Sequence, residues 1–285
     1  MTTRTCTWPS RSPPCGSKAL SSPADDRALL AEAAGTAAEI ALRFFRRAPR
    51  AWEKSGGAGP VSEADLAVDA ALAERLRAAR PDYGWLSEES ADDKARLERA
   101  RIFVVDPIDG TRAFLGGETG WCVAAAVIED GAPVAAVAAF PALGTVYLAA
   151  RGAGAMRDGA PIRAPEGAAL GGATVFTASD NLREDRWPGG APPVKRSFSS
   201  SMIQRLCHVG DGTGDATFAF RRIWEWDLAA GALIAAEAGC AVTDGDGAPM
   251  RFNSPEGRVA GLMAAPPALH AALMARRRPA DRERD

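Results

Sequence analysis

A chain of 285 residues with 47% hydrophobic and 25% charged residues is long enough to bury its own core and has the composition of a globular protein. A net charge of −2 gives no basic excess of the kind nucleic-acid binders concentrate on one face, and no run of about 18 apolar residues is present to span a membrane. The five cysteines, Cys6, Cys15, Cys122, Cys207 and Cys240, form no CxxC pair, so neither a zinc site nor a disulfide framework is indicated and a reducing cytoplasm is expected.

Residues 1–23 are rich in Ser, Thr and Pro and lack acids and a secretory apolar core, so they read as a disordered extension or an over-long gene start. From Ala24 to Ala48 a helical stripe recurs through Leu29, Leu30, Ala33, Ala37, Ile40, Ala41, Phe44 and Phe45. Pro49 and the loop KSGGAGP follow, and a second helix is predicted from Ser62 to about Arg80, stopped by Pro81. Its start has the S-x-x-D form of a capping box, which gives Asp65 a purely structural role. YGWL and IFVV read as short strands. VAAAVI and PVAAVAAF flank EDGA, and TVYLAA and GAM precede RDGA, the pattern of a β-meander turning at Asp-Gly pairs.

Beyond about residue 165 the texture changes. A strand ATVFTA, a polar Pro-rich loop, a helix near Ile203–Gly210, a helix from Trp226 to Gly239 and a turn at Asp244–Gly247 precede a strand near Val259–Ala264 and a closing helix from Pro267. The whole reads as one α+β unit of two subregions, residues 24–160 and 161–276, with residues 277–285 as a solvated Arg-rich tail.

The most informative stretch is DPIDGTRAF, Asp106 to Phe114. IFVV suggests a buried strand ending at Val105, which sets Asp106 at the carboxyl end of a strand, where ligand clefts form. Two carboxylates at i and i+3 in a tight turn can converge on a hard cation, and the amides of a helix beginning at Thr111 suit a phosphate. Taken alone the pair could equally decorate a surface turn. Glu88 and Glu89 in WLSEES could likewise be a solvated loop, and Asp227 in IWEWDLAAG a helix N-cap.

In this order and spacing the three segments, with VSEAD as a fourth, resemble the signature of the inositol monophosphatase family of lithium-sensitive, magnesium-dependent phosphatases. The resemblance runs from about Ala24 to Ala275; SSSMIQRLCHVGDG and the DPIDGTRAF form are most similar to the bacterial 3'(2'),5'-bisphosphate nucleotidase branch. It implies the layered α/β/α/β/α sandwich of the sugar-phosphatase fold, with most metal ligands in the first subregion. Glu88, Asp106 and the carbonyl of Ile108 would hold one Mg²⁺, and Asp106, Asp109 and Asp227 a second; a third ion occurs in relatives. Asp65 and Thr111 would orient the attacking water, and Gly110 and Thr111 amides would grip the phosphate of a small phosphorylated metabolite. His208 and His270 lie outside these motifs. Relatives are often homodimers, although nothing here reads an interface.

On substrate, the inositol-hydrolysing pattern carries an acid a few positions before the Trp-Asp pair, whereas Ala216–Trp224 contains none. Ala219 and Phe220 stand there, followed by Arg221 and Arg222, which favours an aromatic base or second phosphate over a polyol. Bisphosphate nucleotidase activity is therefore expected, with inositol-1-monophosphatase or histidinol-phosphatase as alternatives. A non-catalytic nucleotide-binding protein is a remote one.

Overall fold

The computed structural model describes residues 21–54, 59–167 and 169–277; of the expected extension and tail, residues 1–20 and 278–285 lie outside the described residues. Ser22 starts α1 (Pro23–Phe44), accepting from the Asp25 amide while the Asp25 carboxylate accepts from Ser22, so the helix begins just inside the expected extension. It ends at Phe44 rather than Ala48, because Pro49 disfavours helical backbone at the residue before it; Ala48 has φ of 48°. The expected loop joins two short strands that the sequence reading did not give, β1 (Ala51–Glu53) paired with β2 (Pro60–Ser62), too short to show an alternation in sequence. Helix α2 (Glu63–Ala79) follows, as expected, with Ser62 and Asp65 forming its capping box.

The next strands are β3 (Gly84–Ser87) and β4 (Arg101–Asp109). After the short helix α3 (Thr111–Leu115) come β5 (Cys122–Glu129), β6 (Ala132–Phe140), β7 (Thr145–Ala150), β8 (Ala155–Arg157) and β9 (Ala160–Ile162). They form one seven-stranded sheet in chain order, parallel only between β3 and β4. The Asp-Gly turns act as read: Asp130 and Gly131, at φ of 52° and 76°, supply the two positive angles a tight hairpin needs.

A second sheet is built from β10 (Thr174–Phe176), β11 (Lys195–Ser197), β12 (Ala216–Trp224), β13 (Ala241–Thr243) and β14 (Arg258–Ala265), ordered β11-β10-β12-β14-β13. Strand β12 escaped the sequence reading. Its first four residues are buried on both faces and an irregularity between Ala219 and Arg222 breaks the rest, so no period of two survives. That irregularity has a steric anchor: Gly261 has φ of +81°, and a Cβ on it would lie 2.6 Å from the Ala219 carbonyl oxygen. Helices α4 (Met202–Gly210), α5 (Ala229–Glu237) and α6 (Pro267–Arg276) complete the chain; α5 starts three residues later than Trp226.

Side-chain parity separates five layers. Phe103, Val105, Val123, Ala125 and Val137 face α1 and α2 through Leu30, Ala37, Val68 and Leu72. Their neighbours Ile102, Val104, Ala124, Ala126 and Ala138 face the other way, onto Ile203, Leu206 and Ile234 of α4 and α5, and across them to Ala219, Ile223 and Leu262 of the smaller sheet. The far side of that sheet, with Val175, Phe218 and Met263, is covered by Leu269 and Leu273 of α6. This is the α/β/α/β/α sandwich expected. Its abundant alanine, such as Ala124, Ala126, Ala136 and Ala138, lets α5 lie close on the large sheet. No described helix is long and apolar enough to cross a membrane.

Candidate active site

Strand β4 does not stop at Val105; it runs through DPID to Asp109. In a regular strand the side chains of Asp106 and Asp109 would project to opposite faces. The ladder to β5 breaks register between these two residues, where Pro107 has no N–H to donate. The break turns both carboxylates to the same side. With Asp227, from the loop between β12 and α5, they offer oxygens that all lie within 4.8 Å of one another. Asp227 is not a helix cap: Leu228 occupies that position and α5 has no side-chain cap. Its loop is pinned by the fully buried Glu225, whose carboxylate accepts from the Asn253 and Ser254 amides at 2.7 and 2.9 Å.

Gly110 and Thr111 turn the chain out of β4. Gly110 has φ of +92°, and a Cβ there would meet the Gly120 carbonyl oxygen at 3.1 Å. Thr111 Oγ1 lies 3.2 Å from Asp65 Oδ1 and 3.1 Å from the Ile108 carbonyl oxygen, so its single proton has two acceptors. The other oxygen of Asp65 accepts from the Ser62 amide at 2.8 Å and the Ser62 hydroxyl at 2.6 Å. Capping and holding Thr111 are therefore carried by different oxygens of one carboxylate.

Glu88, Asp106, Ile108, Asp109, Gly110, Thr111 and Asp227 line one cleft of about 140 Å³, together with Pro60, Arg112 and Ser200. A larger hollow of about 380 Å³ near Gly154 and Ile162 gathers no group of acids; Glu237 there accepts from the Gly152 and Gly154 amides. The group of acids lies in the smaller cleft.

Glu88 stands apart from the three aspartates. Lys54, just before the hairpin loop, is 2.7 Å from both Glu88 Oε1 and Glu89 Oε1. Sequence reading missed this lysine, because a lone Lys before a Gly-rich loop carries no signal. Ser201 was missed as well. Its hydroxyl donates to Asp109 Oδ2 at 2.6 Å, joined there by the Ile203 amide at 2.8 Å, so the start of α4 holds one oxygen of Asp109. Asp69 is a third: it accepts from Ser87 and Ser90 on either side of the glutamates, tying that loop to α2. Of the two arginines singled out, Arg221 is close enough to Asp227 to stabilise its charge. Both arginines are exposed, and neither has a hydrogen bond or ion pair to a cleft residue among the described residues.

The electrostatics are those of a site built for positive charge. Burial, then the charges of Glu88, Asp109 and Asp227, push Asp106 well above the usual carboxylate range. Asp227 is raised by burial and by Asp109 and Glu88. Asp109 is pushed up to about 6 by burial, against the pull of the Ser201 hydroxyl and the Ile203 and Met202 amides. Asp106 Oδ1 is buried with no hydrogen-bond partner. Packing three mutually repelling carboxylates and leaving an oxygen unpaired is unfavourable unless a cation completes the group. An all-oxygen donor set suits a hard divalent ion rather than zinc or copper.

A profile of the inositol monophosphatase family matches residues 25–281. The chain belongs to that family. An inositol-1-monophosphatase of Rhizobium meliloti (strain 1021) is 34% identical over 202 residues, 67% of this chain and 74% of the relative. A 3'-phosphoadenosine 5'-phosphate phosphatase of Mycobacterium leprae (strain TN) is 33% identical over 246 residues, 80% of this chain and 84% of the relative. Among solved structures, an inositol monophosphatase (IMPase) of Thermotoga maritima superposes with a TM-score of 0.75 at 25% identity, covering 88% of this chain and 95% of the other. The protein is a phosphoric monoester hydrolase of a metal-dependent family, and its acidic cluster can hold a metal ion.

Proposed function

We propose that the chain is a Mg²⁺-dependent 3'(2'),5'-bisphosphate nucleotidase that converts adenosine 3',5'-bisphosphate to AMP and phosphate. Glu88, Asp106 and the Ile108 carbonyl would hold one ion, and Asp106, Asp109 and Asp227 another. Bound there, such ions would supply charge neutralisation for the phosphate and its leaving oxygen and acidify the attacking water. Lys54 must release Glu88 for this to happen. A proton of the attacking water passes to the Thr111 hydroxyl as that group's own proton moves to Asp65 Oδ1. Burial raises the affinity of Asp65 for a proton, which suits an acceptor. The Gly110–Thr111 turn faces the phosphate, and Arg112, also at the cleft, adds positive charge.

The substrate reading rests chiefly on β12. No carboxylate occurs from Ala216 to Trp224; Ala219 is buried, and Phe220 turns to the far face, stacked on Phe218 at 5.4 Å. The cleft side of this strand thus presents no anion to accept bonds from a polyol, while Arg221 stands near Asp227. The M. leprae relative supports the same choice by its name.

The test is a phosphate-release screen over adenosine 3',5'-bisphosphate, inositol 1-phosphate and histidinol phosphate with Mg²⁺, with and without lithium. The bisphosphate is expected to give a kcat/KM at least about tenfold above inositol 1-phosphate, about 1.4 kcal/mol of differential transition-state binding. Millimolar lithium should inhibit. A preference for inositol 1-phosphate or histidinol phosphate would replace this reading with the corresponding monophosphatase.

A further inference from the structure

The segment Phe198–Arg205 passes beside the cleft: Ser200 lines it and Ser201 holds Asp109. Two side chains of this segment are not fully accounted for by their protein contacts. Arg205 is only 6% exposed, yet no carboxylate lies within ion-pair distance of it among the described residues. Its Nε donates to the Ser199 carbonyl oxygen at 2.7 Å and one Nη donates to the same oxygen, while the other Nη has no protein acceptor among the described residues and is not sealed from the surface, so a ligand can reach it. A buried guanidinium with a single neutral acceptor is unfavourable, and natural proteins pair such charges. Burial pushes its pKa down, the Asp109 charge counters this, and the Arg221 cation adds to the lowering. An anion reaching the open Nη would complete its pairing.

Phe198 is the second oddity. It is 58% exposed, the most exposed large apolar side chain among the described residues, and the Arg205 guanidinium lies over its ring at 4.8 Å. The contact holds the ring in place and leaves much of its surface to solvent. A fixed, open aromatic ring beside a pair of cations matches a ligand that carries a flat ring and an anionic group together.

We propose that Phe198, Arg205 and Arg221 bind the non-reacting half of the substrate, the base stacking on Phe198 and the second phosphate engaging Arg205 and Arg221. This rests on the nucleotidase reading, and it replaces Arg222 with Arg205 as the second cation. Arg205 acts by a two-pronged contact available to guanidinium and not to ammonium.

Calorimetric titration of AMP into the Mg²⁺-loaded protein, with saturating inorganic phosphate in the reaction centre, tests the surface without turnover. AMP is expected to bind at least about tenfold more tightly than ribose 5-phosphate or adenosine, each of which lacks one of the two recognised groups. Phe198→Ala should remove the advantage of AMP over ribose 5-phosphate. Arg205→Met should weaken AMP at least about tenfold while leaving the melting temperature unchanged or higher, since a buried unpaired charge has been removed. Arg205→Lys should not rescue binding. If wild type does not bind AMP, if neither variant changes AMP affinity, or if Arg205→Met only lowers the melting temperature, the proposal is wrong. A wild-type preference for inositol 1-phosphate in turnover, with AMP binding intact, would overturn the nucleotidase reading alone.

Discussion

Replacing Asp65 with asparagine separates two roles that one carboxylate performs. Oδ2 takes the Ser62 amide and hydroxyl and so completes the capping box of α2; Oδ1 faces Thr111 Oγ1 at 3.2 Å. An asparagine of the same shape can keep its oxygen on Ser62, because the cap needs only an acceptor. Its amide nitrogen then faces Thr111 and donates where the carboxylate accepted. The hydrogen bond persists with its direction reversed, and the threonine proton is left to the Ile108 carbonyl. Stability changes little: the charge-assisted part of the cap is lost, but the penalty of a carboxylate that is 1% exposed and has a raised pKa goes with it. The net change should stay under about 1 kcal/mol, about 2–4 °C in melting temperature for a domain of this size. Turnover should fall at least about 100-fold, since a positioned proton acceptor contributes 10²–10⁴. The assay is phosphate release at saturating Mg²⁺ alongside a thermal melt. An Asp65→Asn protein that turns over normally and melts lower would show that Asp65 only caps α2, and the proton path through Thr111 would have to be abandoned.

Three further outcomes follow from other parts of the molecule. Lys54→Met removes a cation that competes for Glu88, so calorimetry should show Mg²⁺ binding about three- to tenfold more tightly; unchanged or weaker binding would mean that Lys54 does not compete for the site. Burial with Glu88 nearby raises Glu89 to about 7, and burial raises Asp109 to about 6, so from about pH 4 to 7 the folded metal-free protein binds more protons than the unfolded chain. Its melting temperature should therefore fall as pH rises through that window, and Mg²⁺ should raise it more at pH 8 than at pH 5; the reverse trend would contradict the charge assignment. Gly261→Ala places a Cβ against the Ala219 carbonyl oxygen at positive φ, which should cost at least about 2 kcal/mol and lower the melting temperature by about 4–8 °C; a neutral result would mean that the bulge in β12 relaxes freely.

Much of this protein is legible in one dimension. A periodicity of 3.6 marks α1 and α2, continuous apolar runs mark the strands of the large sheet, and Asp-Gly pairs place their turns, because helix faces and hairpin angles are local requirements. The joint spacing of Asp65, Glu88, Asp106, Asp109, Thr111 and Asp227 is enough to recognise the family. It could not show how Asp106 and Asp109 come to share a face: the strand was expected to end at Val105, and only a register break against β5, a contact between distant segments, turns the two side chains together. Strand β12 was invisible for a similar reason: its exposed arginines and its register break against β14 interrupt the apolar run that marks the strands of the large sheet. Arg221 and Arg222 look equivalent as neighbours in sequence and both end up exposed, but only Arg221 acts on the charge of Asp227. Lys54 on the two glutamates, Ser201 on Asp109 and the carboxylate-free burial of Arg205 all depend on which remote group lies opposite. Local sequence determines which elements form and which chemistries are available, because those follow from neighbours along the chain. Which charges are paired, shared or left waiting for a ligand is decided only when the layers pack, because desolvation and Coulomb terms depend on distance through space.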